Sequence, residues 1–300
     1  MHSQRNVLEG IIPAITSPCD EKDVFQDKTF AELADHLYQQ DVHGLYVCGA
    51  TGDGYNMRLE ERKRAAEIAV DIGKQFNGTT IVHIGAGNTR DAIELAEHAS
   101  CAGAAAIASM PPANRNQKQL VSYYRDIASA SEIPLFIYHI PQLTGQNLTL
   151  DNFMELFDIP SVIGIKFSNY DLFLLRRILN ARPETVVFNG CDELLTPALL
   201  YGASGGIGMT YNLFPKLFIR IYEAVQSGDI AKAMTLQKHF NDFLNLAVKY
   251  PFRALFAFLM KQKGFGPFTY RRPREVLDEA SGSKFLKEAE NILVAIDEAT

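Results

Sequence analysis

Short apolar runs alternate with helical periods eight times along this chain, and no other feature restricts its fold so tightly. The runs occupy residues 11–16, 44–48, 80–84, 104–108, 135–139, 162–167, 185–189 and 205–208. Most are rich in Val, Ile, Tyr and Phe and apolar nearly throughout, as strands buried on both faces of a parallel sheet should be. The fourth and eighth are Ala- and Gly-rich. Helical stripes stand between them, such as Phe30, Leu33, Ala34 and Leu37, or Ala92, Ala96 and Ala99. Thr29 with Glu32 is expected to form a capping box for the first helix, and Asn88 and Thr89 to cap the third. After about residue 212 the strand signal stops, and residues 214–225, 230–249, 252–263 and 283–299 read as helices. Eight strand–helix repeats with a helical tail predict a closed (β/α)8 TIM barrel over residues 1–212, carrying the active site, and a C-terminal helical appendage over 213–300. An open dinucleotide-binding sheet would want GxGxxG after its first strand. The nearest match, Gly85-Ala86-Gly87-Asn88-Thr89-Arg90, follows the third run and ends in Arg. It reads as a tight strand-to-helix turn.

The 300 residues, 47% hydrophobic and 21% charged, fit one barrel of this kind. A net charge of −6 opposes a generic affinity for nucleic acid, which needs basic stripes. The longest basic cluster, Arg271, Arg272 and Arg274, reads as a solvated or salt-bridged loop. Residues 1–10 show no apolar segment of the secretory type. No apolar run reaches the roughly 20 residues that span a bilayer. Four cysteines with no CxxC pair or zinc spacing point to a reducing, cytoplasmic compartment. The seven histidines form no HxH or HExxH, so no metal is expected, and His83 and His139 read as core residues.

Chemistry in such barrels sits at the C-terminal ends of the strands. The sixth run holds Lys166 among Ile163, Ile165 and Phe167. A buried lysine is costly, and desolvation lowers its pKa. The resulting neutral amine can attack a ketone and form a Schiff base. The competing reading is a structural lysine paired with a carboxylate. Tyr138, at the end of the fifth run, can move a proton between substrate and water, or be a satisfied core tyrosine. Residues 49–52 (Gly-Ala-Thr-Gly) can converge backbone amides on a carboxylate, or simply turn the chain. Thr51 could hydrogen-bond Tyr138. Asp192 and Glu193 follow the seventh run and can accept hydrogen bonds from sugar hydroxyls, or complement a helix N-terminus. Cys191 carries no nucleophile motif.

In this order the motifs Gly49-Ala50-Thr51-Gly52-Asp53, His83-Ile84-Gly85-Ala86-Gly87-Asn88-Thr89, Tyr138-His139-Ile140-Pro141, Gly164-Ile165-Lys166 and Asn189-Gly190-Cys191-Asp192-Glu193 resemble those of the dihydrodipicolinate synthase / N-acetylneuraminate lyase family of class I pyruvate aldolases. The resemblance covers nearly the whole chain. It implies that Lys166 carries the Schiff base, that Tyr138 transfers protons with Thr51 as its partner, and that the amides of Ala50 and Thr51 hold a pyruvate carboxylate. It also implies a homotetramer built from two tight dimers, and no cofactor beyond the lysine imine. Leu143 stands where dihydrodipicolinate synthases place an Arg for a second carboxylate, which an apolar side chain cannot replace. Gly190, Asp192, Glu193 and Phe252 instead match the lyase branch, where these positions bind the sugar-acid chain. Ser168, Gly208 and Met209 complete the implied substrate-binding set.

Five departures stand out. Met209 replaces a Ser that binds substrate hydroxyls, and Ser168 replaces a Thr. Ala50 replaces Ser or Thr, and Asp53 replaces Glu. Residues 109–113 (Ser-Met-Pro-Pro-Ala) stand where relatives carry paired aromatics, one of which crosses the dimer interface to assist the counterpart of Tyr138. The leading expectation is an aldolase that cleaves or forms a 2-oxo-3-deoxy sugar acid from pyruvate and an aldehyde, like N-acetylneuraminate lyase. The alternatives are a 2-keto-3-deoxyaldonate aldolase or sugar-acid dehydratase using the same imine, and a catalytically weak 2-oxo-acid-binding protein.

Overall fold

The computed structural model describes residues 8–300. The reading of residues 1–10 as lacking a secretory segment therefore falls mainly outside it. Eight strands form one all-parallel sheet: β1 (Gly10–Pro13), β2 (Gly44–Val47), β3 (Thr79–His83), β4 (Ala106–Ser109), β5 (Leu135–His139), β6 (Val162–Phe167), β7 (Val186–Asn189) and β8 (Gly205–Gly208). Their order is β1-β8-β7-β6-β5-β4-β3-β2. The ring closes where Ala14 bridges Tyr46 and where the His43 amide donates to Ile11 O at 3.0 Å. Each apolar run of the sequence is thus a strand of a (β/α)8 TIM barrel. The ends differ by a few residues, most at β1, which stops at Pro13.

Period-two alternation decides what fills the barrel. Ile12, Tyr46, Ile81, Phe136, Tyr138, Phe188 and Ile207 share the interior cluster. Ile137, Ile165 and Val187 face outward and pack with the surrounding helices. Those helices are α1 (Asp27–Gln39), α2 (Leu59–Gln75), α3 (Thr89–Ala102), α4 (Gln117–Ser129), α5 (Pro141–Thr144), α6 (Leu150–Phe157), α7 (Leu172–Ala181), α8 (Leu195–Leu200) and α9 (Pro215–Gln226). Asn88 caps α3, accepting from the Asp91 amide at 2.9 Å. The capping box expected at Thr29 and Glu32 does not form. Helix α1 begins at Asp27, whose charge suits a helix N-terminus. Thr29 is buried inside the helix, and its hydroxyl donates to Gly266 O at 3.2 Å.

The C-terminal helices are α10 (Ile230–Ala247), α11 (Phe252–Gln262) and α12 (Glu279–Glu298). Phe214 and Phe218 of the α9 region pack against Phe243 and Phe240 of α10, with ring centroids 4.8 Å apart in both pairs. Buried Gln237 of α10 accepts from the Thr196 amide at 2.9 Å and donates to Asp192 O at 3.1 Å. Helix α10 is thereby fastened to the turn after β7. Among the described residues no single helix is long and apolar enough to cross a membrane. The arginine cluster is salt-bridged: Arg271 pairs with Glu61, and Arg272 and Arg274 with Asp23.

Candidate active site

Register brings the two central residues together. Tyr138 of β5 lies opposite Lys166 of β6, which lies opposite Phe188 of β7. Each is an inward position, so the lysine projects into the mouth of a barrel filled with aromatic and aliphatic side chains. Lys166 and Tyr138 are each 3% exposed. The Lys166 Nζ sits 4.1 Å from the centroid of the Tyr138 ring and 4.2 Å from that of Tyr46. It makes no ion pair among the described residues. Burial lowers its pKa to about 7, against an opposing pull from Asp192 and Cys191. An amine in that range is substantially unprotonated near neutrality, as a nucleophile requires.

The Tyr138 phenol is pushed well above the usual tyrosine range by burial, partly offset by a hydrogen bond with Ser168. Ser168 also donates to Gly190 O at 3.4 Å. Gly190 must lack a side chain, because a Cβ there would strike the Ser168 hydroxyl. Among the described residues no hydrogen bond joins Thr51 to Tyr138. Thr51 lines the same cavity as Tyr138.

The loop after β2 is bent by two non-glycine residues in the left-handed region, Cys48 (φ 58°) and Asp53 (φ 56°). The amides of Ala50 and Thr51 donate to no acceptor among the described residues, which leaves them available for a carboxylate. Arg253, at the start of α11, secures the loop. Its Nη2 donates to Ala50 O at 2.6 Å and its Nη1 to Asp53 Oδ1 at 3.2 Å. Its guanidinium lies 4.9 Å from the Tyr270 ring.

Asp192 is buried and faces Lys166. Its Oδ2 accepts from the Thr210 amide at 2.8 Å and the Thr210 hydroxyl at 2.5 Å. Desolvation still raises its pKa to about 6. A Cβ on Gly208 would collide with Asp192 Oδ1, which accounts for the glycine at the end of β8. Glu193 accepts from the Tyr170 hydroxyl at 2.6 Å. A cavity of about 360 Å³ gathers Ala50, Thr51, Ser168, Gly190, Asp192 and Glu193 with Lys166, Tyr138, Met209 and Phe252. Every site residue expected from the sequence lines it except Gly208, which shapes it through Asp192.

Sequence reading passed over Tyr46, Tyr170, Thr210 and Arg253. Only Tyr46 carried a signal, as an inward position of a strand. His83 and His139 are buried, as expected. His83 Nε2 accepts from the Met110 amide at 3.3 Å, and His139 lies 3.2 Å from the Asn169 amide nitrogen. No group of His, Cys, Asp and Glu among the described residues is arranged to hold a metal.

Comparison with known proteins agrees with this geometry. Residues 7–292 match the model of the dihydrodipicolinate synthetase family. N-acetylneuraminate lyase of Rhizobium meliloti (strain 1021) is 32% identical over 98% of both chains. That of Lactiplantibacillus plantarum is 36% identical over 77% of this chain and 80% of its own. Among solved structures, CdNal from Clostridium difficile in complex with mannosamine superposes with a TM-score of 0.91 at 29% identity, covering 95% of this chain and 99% of the other. YagE from E. coli K12, in complex with pyruvate, gives 0.88 at 27% identity over 95% and 98%. With the family matched over nearly its full length and a barrel mouth built around Lys166, this chain belongs to the dihydrodipicolinate synthetase family.

Proposed function

We propose that the protein is a class I aldolase, a carbon–carbon lyase of the N-acetylneuraminate lyase type, and that it cleaves or forms a 2-oxo-3-deoxy sugar acid through an imine on Lys166. The observation that carries this reading is a lysine 3% exposed in the cavity, without an ion pair and with its pKa lowered to about 7. The competing structural reading of Lys166 needs a salt-bridged carboxylate; Asp192 attracts the amine, but no salt bridge to Lys166 forms among the described residues.

In the proposed reaction the substrate carboxylate binds the amides of Ala50 and Thr51, and neutral Lys166 attacks the ketone carbon. Loss of water gives the protonated imine, an electron sink that lets the C3–C4 bond break. The departing aldehyde's hydroxyl gives its proton to the Tyr138 oxygen as that neutral phenol passes its own proton on toward C3, so the phenol is neutral before and after. The remaining enamine is reprotonated at C3, and water releases pyruvate and restores the amine. The reverse sequence joins pyruvate to an aldehyde.

The relatives' names and the pyruvate bound in YagE support the pyruvate half. We further propose that the reaction needs no metal or cofactor. The reducing, cytoplasmic setting we propose fits four free cysteines. A homotetramer is proposed on the family resemblance, with light scattering as its check.

The test of the chemistry is intact mass after incubation with pyruvate and sodium borohydride, for wild type and Lys166→Ala. A reduced pyruvyl adduct is expected in wild type only. Absence of an adduct in wild type would overturn the imine and favour a 2-oxo-acid-binding protein.

A further inference from the structure

The cavity changes character between its floor and its mouth. At the floor stand Lys166, Tyr138, Ser168 and the amides of Ala50 and Thr51, all able to meet a polar ligand. Toward the mouth the wall is Met209 after β8, Leu244 and Val248 from the end of α10, and Phe252 from α11. A thioether, two aliphatic chains and a phenyl ring give a hydroxyl no good partner.

The other polar groups around the cavity are partly engaged. Asp192 Oδ2 takes two hydrogen bonds from Thr210. Glu193 Oε1 takes one from Tyr170 at 2.6 Å. Arg253 is committed to Asp53 and the Ala50 carbonyl. Tyr170 is 63% exposed, so its ring stands at the rim and joins the loop after β6 to the turn after β7.

We infer that Tyr170 and Met209 determine which sugar acid the site prefers, favouring a short 2-oxo-3-deoxy acid of six carbons over the nine-carbon acetamido acid. This rests on the aldolase reading and narrows it. A six-carbon acid leaves a three-carbon aldehyde half, which ends close to the polar floor. A nine-carbon acid extends its hydroxyls along Met209, Leu244 and Val248. There each hydroxyl that loses water without a replacement weakens transition-state binding about tenfold. Tyr170 acts in the same direction, because it holds one of the two Glu193 oxygens that a longer polyol tail would use.

The experiment compares kcat/KM for cleavage of 2-keto-3-deoxygluconate and of N-acetylneuraminate by the full chain, read as pyruvate released. Wild type, Met209→Ser, Tyr170→Phe and the double variant are measured, with borohydride trapping of pyruvate counting the competent sites in each. Wild type is expected to favour the six-carbon acid by more than about tenfold, with Met209→Ser moving the ratio about tenfold toward the nine-carbon acid. Tyr170→Phe should move it the same way, and the double variant furthest. A wild-type preference for the nine-carbon acid, or a ratio unmoved in both single variants, overturns the specificity assignment while normal trapping leaves the imine standing. Failure to trap pyruvate in wild type removes the imine reading and this inference with it.

Discussion

Replacing Lys166 by methionine should abolish turnover and make the protein more stable. The side chain is fully enclosed, with a pKa of about 7 against the ordinary lysine value of 10.5. Between those values the unfolded chain binds a proton that the folded chain does not. Wild-type stability therefore rises with pH across this window, by about 1.36 kcal/mol per pH unit. At pH 8 the cost of burying Lys166 is about 3 kcal/mol, and it vanishes as the pH passes the unfolded value near 10.5. Methionine has similar bulk and no charge to desolvate. Asp192, with a pKa of about 6, is ionised at pH 8, but Lys166 is then mostly neutral in the folded state, so little attraction is lost. Urea unfolding at matched protein concentration is the assay. Lys166→Met should gain about 3 kcal/mol at pH 8, and the gain should shrink toward zero by pH 10.5. Equal or lower stability at pH 8, or a gain independent of pH, would refute the claim that desolvation prepares this amine.

Tyr138→Phe keeps the ring beside Lys166 but removes the phenol. Turnover should fall by roughly 10²–10⁴ in kcat while the borohydride adduct with pyruvate still forms; a loss of the adduct instead would assign Tyr138 to imine formation. Asp192→Asn removes an attraction that holds the Lys166 pKa up. The acid limb of kcat/KM should then move to lower pH, and a limb that stays put or rises contradicts the coupling. Gly208→Ala drives a Cβ into Asp192 Oδ1 and the Tyr211 ring. It should cost roughly 1–3 kcal/mol in thermal unfolding, with most of the activity; an unchanged melting temperature would show that the strand end gives way.

What the sequence determined follows from local chemistry. Eight short apolar runs, most of them rich in Val, Ile, Tyr and Phe, are strands because only a barrel interior and its helical jacket can bury both faces of so many. Lys166 was legible because a charged side chain amid Ile163, Ile165 and Phe167 is costly to bury, and the motifs around it set it apart from a structural lysine. Its pairing with Tyr138 was implied once the two strands were neighbours. The first helix was read less well. The Thr29 hydroxyl is used by a carbonyl 237 positions away, so local spacing misplaced its start.

Only the tertiary structure decided who holds whom. The Thr210–Asp192 bonds span 18 positions, the Tyr170–Glu193 bond 23, and the Arg253–Asp53 pair 200. Such contacts leave no periodicity in the chain, because closing the barrel and folding α10 and α11 over its mouth creates the proximity. The kind of chemistry follows from the cost of burying one amine, a cost legible in the sequence. The packing of distant side chains around that amine decided the shape and polarity of the space a substrate enters.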